Sequence, residues 1–104
     1  MPRSADVILG DIEAFRPTQD SWLALEPLLD ELWAAGVPAN ALPCLFRVFE
    51  RFPEDDGAGV LWSILHGIEA LPYDYERVLR ESIQRRRSFM GEVMLRRLEK
   101  EKGG

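Results

Sequence analysis

Residues 61–76 read "LWSILHGIEALPYDYE" and contain the chain's one histidine, His66. The fold turns on whether this run is a strand, a loop around a reactive side chain, or a helix. At ~100° per residue, Leu61, Ile64, Leu65, Ile68 and Leu71 fall in one broad arc, which is a helical core face. Trp62, His66, Glu69 and Tyr73 fall in a second, narrow arc. Gly59, Ser63, Gly67 and Ala70 fall in a third arc that has almost no side-chain volume. No arc reads as solvated, so the expectation is a central, mostly buried helix. A glycine inside a helix costs about 1 kcal/mol of propensity, and the small arc is expected to hold one so that another helix backbone can approach closely.

The mixed arc raises the question of chemistry. His66 and Glu69, three residues apart, share a face, and an enzyme could use such a pair for acid–base work. No second histidine, no nucleophile in motif context and no phosphate-binding glycine loop accompanies them. One His, one distant Cys and scattered carboxylates match no zinc spacing. Trp62, His66 and Glu69 are therefore expected to form a buried polar cluster that satisfies its own hydrogen bonds and fixes helix register. No catalytic residue, metal ligand or cofactor is expected, and the chain does not read as an enzyme.

Outward from this stretch, Pro17, Gly36 with Pro38, Pro53 with Gly57, and Pro72 divide the chain into helical segments. Ile8, Ile12 and Phe15 line a first helix, and Trp22, Leu25, Leu29, Leu32 and Trp33 a second that stops at Gly36. Leu42, Leu45, Phe46 and Phe49 point inward from a third that begins near Asn40. Tyr75, Val78, Leu79, Ser82 and Ile83 lie on a fifth; Ser88 caps a sixth carrying Met90, Val93, Met94 and Leu98. No segment alternates as a strand would. The predicted fold is all-α, with five to six helices arranged either as an antiparallel HEAT-like stack or as an irregular bundle.

The chain has 104 residues, enough for one domain spanning 1–104, with residues 1–3 and 100–104 expected to fray. No apolar run approaches the ~20 residues that cross a bilayer, the N-terminus lacks signal-peptide form, and lone Cys44 cannot form an internal disulfide; together these favour the cytoplasm. Residues 1–76 carry 14 acidic and 4 basic side chains, a net of −10, whereas residues 77–104 carry 4 acidic and 9 basic, a net of +5. This asymmetry predicts a partner of complementary charge. Arg80, Arg85, Arg86, Arg87, Arg96 and Arg97 could line a phosphate track, but the acidic total and the lack of a reading motif oppose a nucleic-acid module.

Residues 49–98 resemble the C-terminal part of bacterial immunity proteins that protect cells against polymorphic toxins, including those of contact-dependent growth inhibition. The resemblance rests on the acidic loop "PEDDG" at 53–57, Trp62, "LHGIE" at 65–69, Tyr75, Ser82, Ser88 and "MLRRL" at 94–98. The sequence departs at Arg87, where the pattern has proline. The resemblance covers about half the chain and implies a helical protein that neutralises one cognate toxin domain by occlusion. Such a toxin, if a nuclease, has a basic cleft that an acidic partner attracts. The expected contacts are Glu54, Asp55 and Asp56 in the acidic loop, Tyr73, Asp74 and Tyr75 in the next crossing, and Asp20 beside Trp22. The alternative is a helical scaffold or self-associating subunit without a toxin partner.

Overall fold

The computed structural model describes residues 3–19, 21–55 and 57–103. Among them the chain forms six α-helices: α1 (Ala5–Ala14), α2 (Leu25–Ala35), α3 (Leu42–Arg51), α4 (Val60–Glu69), α5 (Glu76–Arg85) and α6 (Phe89–Gly103). Short 3-10 turns at Ala39–Ala41 and Gly57–Gly59 lead into α3 and α4. No sheet forms among the described residues; one isolated bridge pairs Thr18 with Ser21. The all-α expectation therefore holds.

The helix starts and stops follow local chemistry. The Ser4 hydroxyl accepts from the Val7 N–H to open α1, and the Ser88 hydroxyl accepts from the Gly91 N–H at 2.9 Å to open α6. Gly36 closes α2 at φ 89°, its N–H shared between the Leu32 and Trp33 carbonyls. Two ends differ from expectation. Arg3, expected to fray, donates to Glu31 on α2 at 2.6 Å, and α6 continues through residues 100–103.

The arrangement is the irregular bundle, and its centre is α3 rather than α4. α3 packs on α1, α4, α5 and α6. The reason is the width of its apolar surface. Besides the predicted Leu42, Leu45, Phe46 and Phe49, Cys44 and Val48 are also buried, and together they spread over a ~200° arc. The buried face of α4 (Val60, Leu61, Ile64, Leu65 and Ile68) spans only ~140°. α4 therefore keeps a solvated side: Ser63, His66 and Ala70 are exposed, which corrects the expectation that no arc of this helix is solvated.

Polar clamps tie the layers together. The Ser82 hydroxyl on α5 donates to Glu50 on α3 at 2.6 Å, and Arg85 donates to both oxygens of the same carboxylate. Arg47 on α3 pairs with Glu13 on α1. Trp22, just ahead of α2, is buried between Phe15 and Phe52, with ring centroids 5.7 and 4.8 Å away.

Candidate functional site

The polar cluster on α4 is not buried. The His66 side chain is 62% exposed, and its Nδ1 lies 3.9 Å from Glu69 Oε1. Its ring sits 6.0 Å from that of half-buried Trp62. The firm partner of Glu69 comes from another helix: Arg97 on α6 donates Nε and Nη2 to the two carboxylate oxygens at 2.8 and 2.9 Å. That hydrogen-bonded carboxylate raises the pKa of the Arg97 guanidinium. The predicted trio of Trp62, His66 and Glu69 is thus adjacent, but its structural member is Glu69, which fastens α4 to α6 with His66 outside the fastening.

The small arc of α4 admits a side chain instead of a backbone. A Cβ on Gly67 would collide with Cζ2 and Cη2 of Trp33 and stand 3.0 Å from its Cε2. α2 therefore approaches α4 through the flat indole of Trp33.

The acidic loop is less available than its sequence suggests. Glu54 and Asp55 are exposed, but Asp55 Oδ1 accepts from the Gly57 N–H at 2.9 Å, a local turn that starts the 3-10 segment. The N-cap of α4 itself is Gly59, at φ 92°, with no side-chain cap. Asp56 lies outside the described residues, as does Asp20. The loop packs against the α5–α6 junction, where the Phe89 N–H donates to the Pro53 carbonyl at 2.6 Å. Glu54 consequently lines one depression with Arg86, Arg87 and Arg96.

The second predicted cluster forms part of a groove. Tyr73 and Tyr75 are half-buried and, with Glu69, Leu71, Arg97 and Leu98, line a cavity of about 610 Å³. The Tyr73 hydroxyl donates to the Val37 carbonyl at 2.9 Å, which anchors the α4–α5 crossing to the end of α2. Burial raises the Tyr75 pKa, and Glu69 and Glu101 push it the same way. Asp74 is exposed, but its Oδ1 accepts from the Glu76 N–H at 3.0 Å, so it helps to start α5.

A third surface was not anticipated. Between α2 and α4 lies an apolar pocket of about 650 Å³ bounded by Trp33, Val37, Gly67, Ala70 and Pro72, with His66 and Ser63 on its edge. A smaller depression of about 210 Å³, lined by Glu26, Leu29, Asp30 and Ser63, adjoins it. Glu26 and Asp30 are exposed and form no ion pair among the described residues. A signal for them existed: residues 17–46 contain no Lys or Arg, and Glu26, Asp30 and Trp33 lie within a ~60° arc of α2. The denser acid run at 54–56 is the stronger signal along the chain, because charge density in sequence says nothing of which carboxylates stay unpaired in space.

Comparison of the chain with family models, with curated proteins and with solved structures finds no match. No group of three or more His, Cys, Asp or Glu among the described residues is placed to hold a metal ion. No helix among them is long and apolar enough to cross a membrane.

Proposed function

We propose that the protein is an immunity-type inhibitor that binds and neutralises a cognate bacterial toxin domain by covering its active or substrate-binding surface. The basis is the resemblance of residues 49–98, together with one observation about charge. Five of the arginines between residues 77 and 97 are spent on this chain's own carboxylates. Arg85 holds Glu50, Arg97 holds Glu69, Arg80 holds Glu76, Arg77 holds Glu81 and Arg87 holds Glu92. The formal net charge of −5 is therefore displayed by carboxylates elsewhere, Glu26 and Asp30 among them. An acidic face steers association with a basic cleft and opposes binding to nucleic acid. The same pairing weakens the phosphate-track alternative, since an arginine already chelated by a carboxylate is a poor phosphate ligand.

The family-like residues take architectural places that suit this reading. Leu65 and Ile68 of "LHGIE" are buried, Gly67 receives Trp33, and Glu69 grips Arg97 of "MLRRL". In this reading the buried part of the signature builds the scaffold. The test is co-expression with the C-terminal domain of a secreted protein encoded immediately upstream. The expected result is restored growth and a stable complex on size exclusion. A domain that stays toxic and unbound in the presence of this chain overturns the proposal.

A further inference from the structure

We propose that the α2–α4 groove is where the partner docks, and that it takes one protein segment with two chemical features. One is a bulky apolar side chain seated between Trp33 and Ala70. The other is a Lys or Arg about 10 Å along the groove, facing Glu26 and Asp30. The inference rests on the proposed neutralising function and assigns its contact face.

Continuity is the first ground. The apolar pocket and the acidic depression meet at Ser63, an exposed residue with little bulk, so one segment can occupy both. Glu26 and Trp33 are seven residues apart on one face of α2, which at 1.5 Å per residue places the two chemistries ~10 Å apart. The pocket itself is apolar because its walls are an indole, a valine, a proline, an alanine and a glycine. An indole wall such as Trp33 is a common component of an energetic hot spot.

Charge complementarity selects the occupant. Several other carboxylates are answered within the chain: Glu50 by Arg85, Glu69 by Arg97, Glu13 by Arg47 and Glu31 by Arg3. Glu26 and Asp30, one helical turn apart, have no such partner among the described residues and no Lys or Arg in the sequence around them. A basic side chain from outside completes them. A second copy of this chain is a poorer fit. Its exposed apolar residue near arginines, Phe89, shares its depression with Glu54 and Glu92, which would face the acidic end. The acidic loop, already beside Arg86, Arg87 and Arg96, has less field to offer a partner.

The test uses the full chain and the toxin domain encoded upstream, with binding rates measured at low and high salt. Glu26→Gln combined with Asp30→Asn removes the charge at exposed positions. Ser63→Arg blocks the junction of the two depressions and keeps a good helix former. Glu54→Gln combined with Asp55→Asn is the control, and circular dichroism verifies each fold. The expected results are association slowed roughly tenfold at low salt by the double variant, with a flatter salt dependence. Affinity should fall about 30-fold or more with Ser63→Arg, and the control should bind like the wild type. Groove variants that bind normally, while the wild type protects, overturn the assigned face and leave the function standing. Loss with Ser63→Arg alone overturns the assigned basic chemistry. A wild type that forms no toxin complex overturns the function and the inference together, whereas self-association abolished by Ser63→Arg puts a second copy in the groove and overturns the inference alone.

Discussion

Gly67→Ala tests the contact that brings α2 and α4 together. The added methyl would fall inside van der Waals distance of three indole atoms of Trp33. Overpacking of this kind costs ~1–3 kcal/mol. Against it stands the helix propensity recovered when an interior glycine becomes alanine, about 1 kcal/mol. The net expectation is a loss of ~0–2 kcal/mol, with the indole displaced toward the groove. A single variant cannot separate the two terms, but a cycle with Trp33→Leu can. Once the indole is gone the clash disappears, and Gly67→Ala should stabilise by ~0.5–1 kcal/mol. The sign of the Gly67→Ala effect thus reverses or falls to near zero depending on residue 33, with a coupling of ~1–3 kcal/mol. Urea unfolding followed by far-ultraviolet circular dichroism measures all four variants without relying on the altered tryptophan. Equal stabilisation by Gly67→Ala in both backgrounds would refute the packing described here.

His66→Ala should change stability by less than ~0.5 kcal/mol, because the imidazole is exposed and Glu69 keeps its Arg97 partner; a loss above ~1 kcal/mol in urea would restore the buried-cluster reading. Glu50 is opposed by desolvation, yet its hydrogen bonds from Arg85 and Ser82 prevail and hold its pKa below the usual carboxylate range. Its contribution is present above an unfolded-state pKa of about 4.3 and is lost as pH falls through the folded value. Glu50→Gln should therefore show a shallower drop in urea midpoint below about pH 4.5 than the wild type, and identical acid limbs would count against the α3–α5 clamp. Glu13 and Glu31, lowered by hydrogen bonds from Arg47 and Arg3, keep part of that limb in the variant. Burial pushes the Cys44 thiol up to about 11, and its Sγ donates to the Leu9 carbonyl at 3.6 Å. A thiol-disulfide reagent at neutral pH should react with it only as fast as the protein opens; immediate stoichiometric reaction would show that α1 does not cover α3.

The helices were legible in the sequence because each depends on interactions between residues three or four apart. Ile8 with Ile12, Leu25 with Leu29 and Leu32, and Ile64 with Leu65 and Ile68 declare their buried faces by spacing alone. The ends at Gly36 and Ser88 are equally local. Tertiary structure decided what each face meets. Periodicity gives the angle of Gly67 and His66 on α4, but not that an indole from α2 covers the first and water the second. The same holds for charge. Counted along the chain, the carboxylates between residues 53 and 76 have no cation among them, and the arginines after residue 77 look unspent. In space, Glu69 meets Arg97 across 28 positions and Glu50 meets Arg85 across 35. Coulomb attraction depends on distance through space and on the solvent between the charges. The linear count therefore determined how much acid this protein carries, and the fold decided that Glu26 and Asp30 on α2 would be among the exposed carboxylates without an ion pair among the described residues.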